Sequence, residues 1–168
     1  MRVLIAYASK MGGTAGIAET IGDALFERGI VADVVPVDVA GPPATFDAVL
    51  VGSGLYMSRW RRSARRFVRR NAAALQQRPV WFFSSGPLDA TATEKEIPPV
   101  AQVRTLMTKI GARGHATFGG RLSPDATGFP ARAMAKEHAG DWRDPKAVRA
   151  WADLIADQLQ AVSVPVVG

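Results

Sequence analysis

The first apolar run of the chain, Val3-Leu4-Ile5-Ala6-Tyr7-Ala8, carries no strongly polar residue at either alternating position. A strand turns successive side chains to opposite faces, so a run that is apolar throughout must be covered on both. Such strands belong in parallel sheets with helices packed on each side. The rest of the chain repeats the demand. Val31 to Val37, Phe46 to Val51, Pro79 to Phe83 and His115 to Leu122 read as further strands. Helical stripes alternate with them: Ile17, Ala18, Ile21, Ala24 and Leu25, stopped by Gly29; then Trp60, Ala64, Phe67, Val68 and Leu75; then Val100, Val103, Leu106, Met107 and Ile110, stopped by Gly111. Asp144 as N-cap and Pro145 in the first turn open a last helix through Val148, Trp151, Ala152, Ile155 and Leu159. A short helix around 131–137 is expected within the irregular stretch 123–140. This alternation predicts one α/β domain spanning residues 1–168, a parallel sheet between two helix layers, and of two competing doubly wound orders the five-stranded 2-1-3-4-5 fits this length. A six-stranded dinucleotide order would need one more strand–helix unit.

Composition removes several chemistries. With no cysteine, disulfides, thiolate metal sites, iron–sulfur ligation and cysteine nucleophiles are excluded. His115 and His138 stand far apart without a nearby carboxylate spacing, which argues against a metal site or a hydrolytic dyad. No run approaches the ~18 apolar residues of a spanning helix. The six-residue apolar stretch at the N-terminus is too short for a signal-peptide core, so a cytoplasmic location is expected. The net charge of +6 has one source: Arg59, Arg61, Arg62, Arg65, Arg66, Arg69 and Arg70 lie together with no acid among them. A nucleic-acid binder usually spreads its basic residues and interleaves aromatics, so no nucleic acid is expected. The stretch reads either as a solvated helix face or as a docking surface for an acidic protein, an anionic membrane or a carboxylated substrate.

In such a fold, ligands sit beyond the carboxyl ends of the strands. Three loops there have suitable residues: 9–14, 52–60 and 84–93. The first opens a helix directly after a strand, where unpaired amides and the helix dipole favour an anion such as phosphate. Neither a P-loop nor a GxGxxG pattern is present. Asp38, near the end of the second strand, keeps a ribose-binding, dinucleotide reading open, and an empty tight turn is the plain alternative. A signalling receiver is disfavoured because Ser9 and Gly52-Ser53 stand where paired acids would be needed. In the third loop, Asp89, Glu94 and Glu96 are candidate acids, although Thr91-Ala92-Thr93-Glu94 also spells a capping box.

The pattern Ser9-x-x-Gly12-x-Thr14 after the first strand, with Gly52-Ser53-Gly54-Leu55-Tyr56 after the third, resembles the flavodoxin family. Within it the chain is most similar to the branch that includes the menaquinone-dependent protoporphyrinogen oxidases. The carrying residues are the opening Arg2 to Thr14, Phe46 to Gly52, Phe67 to Asn71 and Gly119-Gly120-Arg121-Leu122. The resemblance implies a flavodoxin-like three-layer sandwich and an FMN cofactor. It places the phosphate on the loop of Ser9, Lys10, Met11, Gly12, Gly13 and Thr14. It places the isoalloxazine ring between Ser53, Gly54, Leu55, Tyr56 and Met57 on one side and Ser84, Ser85, Gly86, Pro87, Leu88 and Asp89 on the other. Leu55, Tyr56 and Trp60 are candidate walls for the ring, with Trp60 reading first as core. The implied function is an FMN-dependent oxidoreductase passing electrons to a small partner such as a quinone or porphyrinogen. The alternative is a non-catalytic electron carrier docking on a protein. Carrier flavodoxins are acidic, whereas this chain is basic. The oxidases carry a longer aromatic and basic insertion than residues 123–140, which hold only Phe129 as an aromatic.

Overall fold

The computed structural model describes residues 1–10, 12–86, 96–122, 140–141 and 143–162. Five strands, β1 (Arg2–Ala8), β2 (Val31–Pro36), β3 (Ala48–Tyr56), β5 (Val80–Ser85) and β6 (Gly114–Phe118), form a parallel sheet in the order β2-β1-β3-β5-β6. This is the predicted order, with one addition. A two-residue strand β4 (Arg59–Trp60) folds back antiparallel on the end of β3.

Alternation along the strands divides the core into two layers. Val3 and Ile5 of β1, with Trp81 and Phe83 of β5, face helices α1 (Gly13–Glu27) and α5 (Pro145–Val162). Leu4 and Ala6, with Val80 and Phe82, face α2 (Arg62–Arg70), α3 (Ala72–Gln76) and α4 (Ala101–Ile110). The all-apolar runs of the sequence are thus explained by burial on both faces. Gly29 and Gly111 sit at φ +77° and +69° just beyond α1 and α4, where a left-handed residue ends each helix. Asp144 Oδ1 accepts the amides of Lys146 and Ala147, capping α5 as its sequence signals.

Three elements differ from the sequence reading. The stripe from Trp60 to Leu75 is not one helix. It breaks at Asn71, whose side-chain amide and backbone N–H both donate to the Phe67 carbonyl (2.9 and 3.1 Å), so the side chain competes with helix propagation. Residues 115–122 do not form a single strand. β6 stops at Phe118 before Gly119-Gly120, and a separate strand β7 (Arg121–Leu122) pairs with β8 (Gly140–Asp141). The third strand starts later than Phe46 and runs through Gly52-Ser53-Gly54, which had read as loop. The expected helix at 131–137, Phe129, His138 and the capping box at 91–94 lie outside the described residues.

Gly52 explains why a loop-like composition sits inside a strand. A Cβ there would overlap the ring of Phe83 on β5, so the missing side chain makes room for a core aromatic. Gly52→Ala is expected to cost about 2–3 kcal/mol through overpacking, read as a lowered urea midpoint. Combining it with Phe83→Leu should recover part of the loss.

Candidate functional site

The parallel register brings the ends of β1, β3 and β5 level: Ala8 lies opposite Ser53, and Ser53 opposite Ser84. The loop after β1 is shaped by its own side chain. Ser9 Oγ accepts the Gly12 amide at 3.0 Å, and Gly12 takes a left-handed φ of +80° as the N-cap of α1. Nothing crowds a Cβ at Gly12, so backbone conformation rather than space selects glycine there. The first main-chain helix bond of α1 runs from Gly16 N to Gly12 O. The amides of Gly13, Thr14 and Ala15 therefore have no helical acceptor, and the first turn holds no acid. Such a turn can cradle an anion, with one of the expected donors, the Gly12 amide, taken by Ser9.

Thr14 is 2% exposed, and its hydroxyl lies 3.4 Å from where a Cβ on Gly54 would stand. The start of α1 thus comes close to the end of β3. The second and third loops meet where Gly86, at φ +131°, approaches Leu55, with a Cβ position 3.6 Å from Leu55 Cβ. Gly86 N also donates to Phe118 O at 2.9 Å, extending the ladder by one bond. Lys10 is exposed beside the cradle, Leu55 is half-buried, and Ser84 and Ser85 are buried. Of the residues expected to form the site, Met11, Pro87, Leu88 and Asp89 lie outside the described residues.

Beyond Gly54 the chain makes a two-residue hairpin rather than an open loop. Leu55 pairs with Trp60 and Tyr56 with Arg59, while Met57 and Ser58 both take positive φ, 50° and 58°. This pattern matches the twist of a hairpin but suits Asn-Gly far better than Met-Ser. The strained turn holds Tyr56 and Met57 at the surface, 46% and 77% exposed. Trp60 goes the other way. It is buried, packs on Phe82 with centroids 4.8 Å apart, and donates from Nε1 to Ser84 Oγ at 2.8 Å. It is core, as its apolar spacing suggested, and not a wall of the cleft.

Ser84 continues inward. Its Oγ lies 2.9 Å from His115 Nε2, and His115 Nδ1 is buried with no partner. Burial pushes the imidazole down to about 4, because a protonated ring would leave a charged N–H without an acceptor. Sequence reasoning placed His115 at a strand start; only the strand order sets it beside Ser84. A second link closes the hairpin: Arg61 N donates to Ser53 Oγ at 2.9 Å, and that hydroxyl donates to Gly54 O at 3.0 Å. Beside the cradle a cavity of about 280 Å³ is lined by Ser9, Gly12, Ala15, Asp38, Arg61 and Ser63, among others. Among the described residues no group of histidines and carboxylates could hold a metal ion. No described helix is long and apolar enough to cross a membrane.

The chain matches the family model described as flavodoxin domain over residues 4–141. No curated protein matches it in sequence. Among solved structures it is similar to a flavodoxin from the domain Archaea, at TM-score 0.66 and 15% identity, over 95% of this chain and 99% of that one. It is also similar to oxidised flavodoxin 1 from Bacillus cereus (TM-score 0.59, 12% identity, 94% and 98% covered). A third likeness is to rubredoxin oxygen:oxidoreductase from Desulfovibrio gigas (TM-score 0.64, 14% identity), where 97% of this chain spans 37% of that one.

Two outcomes follow from the geometry. The His115 ring binds its proton near 6.5 when unfolded and near 4 when folded, so the unfolded chain holds more protons between these values. Stability should be complete above pH 6.5 and decline toward pH 4, and His115→Gln should flatten that slope in urea titrations at several pH values. Met57→Asn with Ser58→Gly should stabilise the fold by about 1 kcal/mol by relieving the hairpin, read as a raised urea midpoint.

Proposed function

We propose, starting from the premise that the chain belongs to the flavodoxin domain family, that it is an electron-transfer protein working through bound FMN at the carboxyl edge of the sheet. FMN is the cofactor of this family. The observation that carries the site assignment is the cradle after β1. Three amides without helical acceptors, a left-handed glycine and a first turn free of acid suit a doubly negative phosphate. Ser9 orders the cradle through Gly12, and its hydroxyl hydrogen remains available to donate. Thr14 braces the cradle against Gly54. Leu55 and Gly86 stand together where a planar ring would need close backbone approach. When bound, FMN supplies an isoalloxazine ring that takes up and releases electrons. The buried Ser53 and Ser84 hold the strand ends that flank that ring, and the hairpin tip of Tyr56 and Met57 shields one edge.

The carrier reading is favoured by what surrounds the tip. Tyr56 and Met57 present exposed apolar surface, with Arg59 exposed across the same turn, a combination that suits docking on an acidic protein. A second reading makes the protein an oxidoreductase toward a small acceptor such as a quinone or a porphyrinogen. It rests on the same exposed tip and on the opening residues Arg2 to Thr14, which resemble the protoporphyrinogen oxidase branch. An oxidoreductase turns over the small acceptor with purified components alone. A carrier is reduced and reoxidised only through partner proteins.

Titration of the protein with micromolar FMN is expected to quench and shift the flavin spectrum; unchanged spectra would leave the turn empty. Ser9→Ala and Thr14→Ala should each weaken FMN binding by about 1–3 kcal/mol, as for hydrogen bonds to a charged group or to the loop that presents it. Undiminished affinity in both variants would place the phosphate elsewhere.

A further inference from the structure

We infer that the groove between residues 37–42 and helix α2 is a second nucleotide subsite, taking a nucleoside that carries two or more phosphates. The inference uses the flavin reading only to say what lies next door. The groove has a volume of about 920 Å³, within the ~300–1,000 Å³ typical of small-molecule sites. It continues into the smaller cavity at the cradle, and Asp38, Arg61 and Ser63 line both.

Its chemistry divides into three parts. Arg62, Arg66 and Arg70 recur every four residues along α2 and line one wall. Guanidinium forks match phosphate oxygens in geometry and charge. Like charges at this spacing work against the helix, and those in its first turn also oppose the helix dipole. Asp38 lines the same groove but makes no ion pair with them, and one carboxylate cannot balance three guanidinium groups. Arg2, Arg28 and Arg149 each pair with an acid elsewhere in the fold, whereas none of the seven arginines from Arg59 to Arg70 forms an ion pair among the described residues. Arg65 is held below its ordinary pKa first by its own burial and then by the neighbouring Arg69, Arg59 and Arg62. A polyanion in the groove supplies the missing countercharge.

The second part is Asp38, an exposed carboxylate in the same groove with no ion pair to its arginines. A carboxylate weakens a site built for a bare polyanion or an acidic peptide. It is an acceptor suited to the neighbouring hydroxyls of a ribose. The third part is apolar: half-buried Ala40 and exposed Pro42 line the groove above the edges of the buried Val37 and Phe67 and give a base a small surface to cover. Phosphate donors, a sugar acceptor and an apolar surface together favour a nucleoside over an acidic protein.

The test is calorimetric titration of ADP into the FMN-loaded protein. One ADP per chain should bind with FMN retained, at least about tenfold tighter than pyrophosphate. Arg66→Glu and Arg70→Glu should each weaken ADP by about tenfold or more while leaving the FMN titration unchanged. Asp38→Asn should narrow the preference for ADP over pyrophosphate. Parallel titrations distinguish two sources of the same chemistry. FAD binding well above FMN and excluding ADP would identify the ADP half of one cofactor. FMN and ADP binding together, with no gain for FAD, would identify a separate nucleotide. No ADP binding, ADP matched by pyrophosphate or polyglutamate, or insensitivity to both arginine variants would overturn the inference. If FMN fails to bind while ADP binds to the apoprotein and loses affinity in the variants, the flavin reading falls and the groove stands.

Discussion

Parallel hydrogen bonding of β1 to β2 on one side and to β3 on the other sets the height at which each loop leaves the sheet. Because parallel ladders repeat evenly, the register that aligns Val3 with Ala48 also aligns Ala8 with Ser53, and through β5 with Ser84. The cradle at Ser9–Thr14, the glycine-spaced end of β3 and the end of β5 consequently open at one level. The closeness of Thr14 to Gly54 and of Leu55 to Gly86 follows from that register. A one-residue slip would turn every core side chain of a strand to the wrong layer, so burial on both faces enforces the alignment.

The same two-sided burial supports the hairpin above the sheet. Trp60 fills the α2-side layer and reaches Ser84, which in turn meets His115 on the edge strand. One polar line thus ties the hairpin to β5 and β6 through the core. Buried polar links of this kind are costly unless satisfied, and here the unsatisfied atom, His115 Nδ1, belongs to a ring that burial keeps neutral. The strain at Met57 and Ser58 is borne by an anchored structure. With Trp60 locked below and Ser53 bonded to Arg61 behind, the turn has little freedom to relax.

Charge is arranged with a similar division of labour. Arg28 and Arg149 join α1 to α5 through surface acids, where each pair contributes little by itself. Among the described residues the arginines of α2 have no such partners, and they lie next to a cavity that reaches the cradle. Folding therefore places two anion-attracting features side by side, one made of backbone amides and one of guanidinium groups. Their proximity comes from the crossover of the chain from β3 through β4 into α2, which delivers Arg61 to the rim of both cavities.

Much of this was legible from residue order alone. Runs that are apolar at every position require a covered parallel sheet, and Gly29, Gly111 and Asp144-Pro145 mark helix ends by local stereochemistry, which needs no partner. The glycine-bearing turn that opens the first helix was legible for the same reason, with Gly12 in the left-handed region as its N-cap. What misled were residues whose reason lies across the sheet. Gly52 looked like loop because nothing nearby in sequence reveals that Phe83 occupies the space of its side chain. Trp60 and Leu75 fell on one helical stripe, although Asn71 breaks the helix and Trp60 belongs to a strand. His115 beside Ser84, Thr14 against Gly54 and the arginine row against Asp38 join residues roughly 25 to 40 positions apart. Local sequence determines which backbone shapes are affordable at each point; only closure of the sheet determines which distant side chains share a space, because that depends on strand order and register rather than on neighbours along the chain.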